Sequence, residues 1–258
     1  MGKLIAVERK GPVTIVTLSR PEVMNALNTD AHFELHDAFN AFAEDSDQWV
    51  AIVTGAGTKA FCAGHDLKTQ ASGTHRGTPP SGFGGITSRF DLTKPVIAAV
   101  NGVAMGGGFE IALACDLIIA AETAVFALPE PRVGLAALAG GVHRLPRQIG
   151  LKRAMGMILT ARRVSAREGH ELGFVNEVVP PGELMAAAER WAGMICQNSP
   201  MSIRASKDAV QRGLAVSLEQ AMAEQSGYPG VKALQASQDY IEGPRAFAEK
   251  RPPRWTGR

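Results

Sequence analysis

The chain has 258 residues, 45% hydrophobic and 20% charged, with 27 Lys and Arg against 25 Asp and Glu for a net charge of +2. That balance excludes a disordered chain and a nucleic-acid binder built on a basic face; the short basic clusters at Arg162-Arg163 and Lys250-Arg251 read as solvated surface. The three cysteines Cys62, Cys115 and Cys196 are odd in number and lack CxxC spacing, which excludes a disulfide framework and points to a reducing compartment.

From the N-terminus, Met1 to Glu8 carry no apolar run of signal-peptide type. The stretch Pro95 to Met105 is far too short to span a bilayer. A soluble, cytoplasmic protein with no membrane partner is therefore expected. Leu4 to Glu8 and Val13 to Leu18 alternate around Gly11 and Pro12, a β-hairpin pattern. Thr29 or Asp30 is expected to cap a helix whose apolar face is Leu35, Ala38, Phe39 and Phe42. Val50 to Thr54, Val96 to Val100 and Leu117 to Ala120 are continuous apolar strands, which predicts a sheet covered on both faces. Gln70 to Gly85 is long, polar and rich in Gly and Pro, and reads as a flap over a pocket or as a plain excursion. From Val142 onward the pattern is mostly helical. Ser165 to Glu168 is a capping box, Ser199-Pro200 is an N-cap with proline at N1, and helices are expected over Glu183 to Cys196, Met201 to Arg212 and Ser217 to Gln225. Gly243-Pro244 is expected to open a short terminal helix ending near Arg251. The organisation predicted is an α/β core over 1–180 and a helical region over 181–258, without internal sequence repeats.

Val50 to Ala60 reads as a strand followed by G-x-G-x-x-A, which on its face is a dinucleotide fingerprint. That motif needs a helix opening at once and an acidic residue about twenty positions on. Phe61 to Gly64 interrupts any helix, and no acid lies around His75. The segment reads instead as a turn in which Gly55 and Gly57 supply positive φ.

The chemistry is concentrated further along. Gly106, Gly107 and Gly108 precede Glu110 at the start of an apolar helical run, and Glu130 follows Pro129 about twenty residues later. Glycines let a ligand approach the backbone, and a helix N-terminus offers unpaired N–H groups and partial positive charge. Together they suit a carbonyl oxygen that becomes negative, although close helix packing also accounts for glycine. A carboxylate among apolar neighbours, as at Glu110, needs a partner, a raised pKa or a chemical task. Glu130 can serve beside it as a second acid or base, or simply pair with Arg132. The histidines show no metal-ligand spacing beyond His32 and His36, which read as surface or packing, so no metal is expected.

These segments resemble the signature segments of the enoyl-CoA hydratase/isomerase (crotonase) superfamily. Phe61, Ala63, Gly64, Asp66 and Leu67 match its F-x-A-G-x-D-L pattern, Arg20 to Leu27 its R-P-x-x-x-N-A-L segment, and Thr160 to Asn176 and Ser237 to Arg251 its later segments. The tail with Trp255 to Arg258, together with Phe126 to Glu130, is especially similar to the carnitinyl-CoA dehydratases of that superfamily. The resemblance covers nearly the whole chain. It implies an α/β fold, a crotonase spiral of repeated β-β-α units with a helical C-terminal region for trimerisation, assembled as a homotrimer or hexamer. It implies an acyl-CoA thioester as substrate, with coenzyme A as part of that substrate and no separate cofactor. The backbone amides of His65 and Gly107 would form an oxyanion hole. Val23, Ala63, His65, Asp66 and Leu67 would border the CoA site, and Lys250 would meet a CoA phosphate, often of a neighbouring subunit. With glutamates at both 110 and 130, water addition or removal is favoured over double-bond migration. By analogy Glu110 activates water and Glu130 donates the C2 proton. The alternatives are a carnitinyl-CoA dehydratase, an isomerase of the same superfamily, and a non-catalytic relative that binds CoA. One departure stands out: Ala137 occupies the position of a usual proline, and the bulky Leu138 sits where a smaller or polar residue often borders the acyl pocket.

Overall fold

A computed structural model describes residues 4–66 and 77–258. Strands β1 (Ile5–Lys10) and β2 (Val13–Leu18) form the expected hairpin, with Ile5 opposite Leu18. β2 then pairs in parallel with β3 (Val50–Gly55), and the sheet continues through β5 (Val96–Val100), β7 (Leu117–Ala121) and β10 (Glu177–Val179) in the order β1-β2-β3-β5-β7-β10. A second sheet runs β4 (Ala60–Cys62), β6 (Val103–Met105), β8 (Val125–Ala127) and β9 (Val164–Ser165), parallel except for its last pair. The pairs β3/β4, β5/β6 and β7/β8 each place one strand in each sheet. Helix α2 (Gly107–Ala114) follows the second of these pairs, and α3 (Gly141–Ile149) follows the third. The chain therefore advances in β-β-α units, a repetition carried by topology that the sequence does not spell out.

The continuous apolar strands are explained by burial on both faces. Ala51, Val53, Ala98, Val100, Ile118 and Ala120 face a core that contains Phe39, Phe42, Phe109 and Phe126. Ile52, Ile97, Ala99, Ile119 and Ala121 face the other way, against Leu184, Ala187, Ala188 and Ala192. Those last four lie on a later helix (Leu184–Cys196) that covers the back of the sheet. On the front lies α1 (Thr29–Glu44), with Leu35, Phe39 and Phe42 buried as its spacing requires.

Several local expectations need correction. The cap of α1 is Asn28, whose side chain accepts from the Ala31 amide at 3.0 Å, so Thr29 and Asp30 lie inside the helix. Gly57 has φ +77, but Gly55 does not share that conformation; it is glycine because a Cβ there would collide with the Ala60 and Phe61 carbonyls. After α3 come α4 (Leu151–Thr160), α5 (Ala166–Leu172) capped by Ser165, the back-face helix as α6, α7 (Pro200–Gly213) capped by Ser199, α8 (Leu218–Glu224), α9 (Pro229–Gln235) and α10 (Gln238–Ala248). In the capping box the Ser165 hydroxyl takes the Glu168 amide, while the Glu168 carboxylate turns to Arg162 at 2.6 Å. The last helix opens at Ser237, not at Gly243, and carries Pro244 within it. Lys207 of α7 ties the helical region to the core, donating to the Lys94 carbonyl at 2.9 Å and pairing with Asp116 at 2.7 Å. Among the described residues, no helix is long and apolar enough to cross a membrane.

Candidate active site

The floor of the site is set where the second sheet ends. β4 hands the chain to Ala63, Gly64 and His65, and the segment Met24–Leu27 zips onto it: Ala63 N–H donates to Met24 O (3.0 Å), Leu27 N–H to Gly64 O (2.8 Å) and Asp66 N–H to Leu27 O (2.9 Å). Asn25 anchors this arrangement, its amide donating to Ala56 O (3.0 Å) and Ala60 O (2.8 Å). Beside β4, β6 delivers Gly106, and α2 starts at Gly107. The two segments touch: a Cβ on Gly64 would lie 3.2 Å from Gly107 N.

The three glycines have three separate causes. Gly106 has φ +54, a conformation that penalises a Cβ. A Cβ on Gly107 would enter the Phe83 ring, and one on Gly108 would enter the Cys62 carbonyl. Close packing therefore accounts for Gly108, while Gly106 and Gly107 open the backbone into a cleft of about 310 Å³ lined by Ala63, Gly64, His65, Phe83, Glu110 and Glu130.

Glu110 sits in the first turn of α2 and is only 3% exposed. Burial raises its pKa from 4.5 to about 7; the nearby Glu130 charge adds to the rise, and the Gly141 amide, donating to Oε1 at 2.8 Å, opposes it. Glu130 opens the 3-10 turn Glu130–Val133 after β8, and burial raises its pKa as well. Its Oε2 is buried without a hydrogen-bond partner among the described residues, and no ion pair to Arg132 forms among them. Two carboxyl groups in one cleft, both with pKa raised by burial and both beside backbone donors, have the means for acid/base chemistry.

The other residues singled out from the sequence divide. Ala63 and His65 line the cleft, and the His65 ring packs against His32 at 6.0 Å and Phe83 at 6.3 Å between centroids. Asp66 is engaged by Arg20 at 3.1 Å, both side chains largely buried. Val23 lies in the 3-10 turn Pro21–Val23, outside the cleft wall, and Lys250 is exposed just beyond α10. Leu67 lies outside the described residues. So does the Gln70–Arg76 part of the anticipated flap, but Thr78 and Phe83 from its remainder do line the cleft. Leu138 stands at the rim, 75% exposed, with Val133 and Leu135, while Ala137 is buried. Sequence reasoning missed Gly141 as the donor to Glu110 and Phe83 as the wall against Gly107. Their only local signals were a Gly-Gly pair before a helix and an aromatic among glycines.

A family model described as enoyl-CoA hydratase/isomerase matches residues 8–258. A carnitinyl-CoA dehydratase of Salmonella arizonae is 44% identical over 264 positions, and one of Salmonella typhi 43% over 265, each alignment covering all of both chains. Among solved structures, an enoyl-CoA hydratase from Mycobacterium tuberculosis H37Rv superposes with a TM-score of 0.93 at 40% identity over 99% of each chain. One from Bacillus anthracis reaches 0.88 at 36% identity, covering 99% of this chain and 100% of that one.

Proposed function

We propose that this chain, which belongs to the enoyl-CoA hydratase/isomerase family, is a hydro-lyase that adds water reversibly across the double bond of a 2-enoyl-CoA thioester. The observation that carries this reading is the pair Glu110 and Glu130, both with raised pKa, in the cleft that also holds Gly107. The thioester oxygen lies between the backbone amides of His65 and Gly107. Gly107 is the first residue of α2, so its N–H belongs to the donors a helix leaves uncommitted. Enolate charge that develops on the oxygen is held by these amides, each such donor being worth about 3–4 kcal/mol in a transition state. The Gly141 amide holds Glu110 Oε1, and the Glu110 carboxylate takes the proton of a water that attacks C3. Glu130, across the cleft, delivers the proton to C2. Dehydration of a 3-hydroxyacyl-CoA is the same path reversed.

The full-length likeness to carnitinyl-CoA dehydratases keeps a substrate with a polar acyl group as the second reading. The CoA part is assigned to the border formed by Val23, Ala63, His65 and Asp66, with Lys250 on its phosphate, a role that the exposed position of Lys250 supports. Assembly as a trimer or hexamer is supported by the exposed Leu218, Met222, Ile241 and Phe247 on the C-terminal helices and Leu214 just beyond one of them. A role in fatty-acyl metabolism would follow from the proposed substrate, and a cytoplasmic location fits the three free cysteines.

The test is loss of the conjugated enoyl-thioester absorbance of crotonyl-CoA, with Glu110→Gln and Glu130→Gln as controls. Loss with the wild type and neither variant supports the assignment. Wild-type inertness toward crotonyl-CoA and crotonobetainyl-CoA, with conversion of a 3-enoyl thioester, replaces it with an isomerase. Inertness toward all three leaves a CoA-binding relative.

A further inference from the structure

We propose that His32 is a positioning residue for both halves of the oxyanion hole, holding the Phe83–Gly85 turn against Gly107 and backing the ring of His65. The inference rests on the site assignment above and deepens it.

His32 lies on α1, far in sequence from either donor, and is fully buried. Its contacts point in three directions. Nδ1 accepts the Gly84 amide at 3.0 Å. The ring meets Phe83 edge-on, with centroids 4.4 Å apart. It also stacks on His65 at 6.0 Å with an interplanar angle of 10°. Phe83 in turn occupies the space where a Cβ on Gly107 would be. One side chain therefore touches the residue that carries one proposed donor, and touches the ring that walls the other.

The arrangement depends on an acceptor as well as on volume. A glycine amide aimed at Nδ1 keeps that nitrogen unprotonated, so the turn is fixed by a hydrogen bond that an apolar residue of similar size cannot make. The turn is otherwise short and held from the same helix. A Cβ on Gly85 would lie 2.5 Å from His36 N, and the His36 ring pairs with Ser81 at 2.8 Å and Asn40 at 3.0 Å. Asn40 accepts from Arg89 at 2.9 Å, which orients its amide toward His36. His36 and Asn40 thus anchor the ends of the strap spanning residues 81–89, and His32 anchors its middle, where Phe83 meets Gly107. Removing the middle anchor lets Phe83 shift while the strap stays attached. A displacement of about 1 Å at an oxyanion donor is enough to cost up to about 100-fold in rate.

The experiment compares His32→Leu and His32→Asn, the amide oxygen of Asn standing where Nδ1 stands. Steady-state hydration of crotonyl-CoA gives kcat and KM. The absorbance of bound 2,4-hexadienoyl-CoA, which red-shifts when its carbonyl is polarised, reports the oxyanion hole directly. For His32→Leu the expectation is a kcat down about 10- to 100-fold, KM within about twofold, and a diminished red-shift. His32→Asn recovers most of both. Phe83→Leu, which removes the wall from the other side, reproduces the kcat loss and covers the case in which His32→Leu does not fold. An unchanged red-shift in foldable His32→Leu or in Phe83→Leu overturns the inference, as does a defect confined to KM or equal defects for Leu and Asn. If the wild type neither turns over an enoyl-CoA nor shifts the bound chromophore, the underlying site assignment fails as well.

Discussion

Replacing Glu110 with Gln is expected to stabilise the protein while abolishing activity, and the stabilisation should appear only as pH rises. The folded protein binds the Glu110 proton up to about pH 7, whereas the unfolded chain releases it near 4.5. Between those values the native state holds more protons than the unfolded state, so unfolding free energy falls with rising pH. At about 1.4 kcal/mol for each pH unit, the loss amounts to about 3 kcal/mol once the pH exceeds 7. The carboxylate is only 3% exposed, so solvent screening does not erase this cost. Gln keeps an acceptor for the Gly141 amide and never ionises. The melting temperature of Glu110→Gln should therefore match wild type near pH 5 and exceed it by roughly 6–10 °C near pH 8. Thermal melts of both proteins across that range make the comparison. A difference that stays flat, or shrinks as pH rises, would refute the claim that burial holds Glu110 near neutral pKa.

The same value predicts kinetics: with Glu110 as the base toward water, kcat/KM should climb with pH through a limb near 7, and a limb near 4.5 would mean that the cleft does not desolvate it. Gly108→Ala drives a Cβ into the backbone carbonyl of Cys62, where neither partner can yield, and should cost about 3 kcal/mol or more by denaturant titration. Gly107→Ala meets only the Phe83 ring, so its stability loss should be smaller and should be relieved by adding Phe83→Ala, its main damage falling on kcat. Leu138→Asp, at a rim position 75% exposed, should leave stability within about 0.5 kcal/mol and raise the ratio of crotonobetainyl-CoA to crotonyl-CoA turnover; an unchanged ratio would remove Leu138 from the acyl site.

What could be seen in the sequence was whatever leaves a local mark. Val50–Gly55, Val96–Val100 and Leu117–Ala121 stand out because burial on two faces demands unbroken apolar runs. Glu110 stood out because a carboxylate is costly among apolar neighbours. The sequence points to a cap of α1 one or two residues too late, at Thr29 or Asp30, because Asn28, Thr29 and Asp30 all have capping side chains and only packing selects among them. Pro244 suggested a helix start because proline favours the first turn, yet Ser237 had already capped the helix. Gly141 holds Glu110 across 31 residues, and His32 holds Gly84 across 52. Such contacts follow no period, so the residues that tune the site were invisible while the residues that carry its chemistry were not.

The cleft divides into two walls with different physics. On one side, glycines are locked by contacts too close to admit a Cβ, which would hold the proposed oxyanion donors in place. On the other, Val133, Leu135 and Leu138 follow Glu130 along one exposed loop that leads to Gly141, the donor to Glu110. An acyl chain laid along that loop covers the leucines and excludes water from both carboxyl groups. Desolvation would then strengthen the proposed hydrogen bonds to the thioester oxygen and keep the pKa of both glutamates raised. The burial that makes Glu110 a liability to the folded chain is thus the same burial that suits it to exchange protons with substrate.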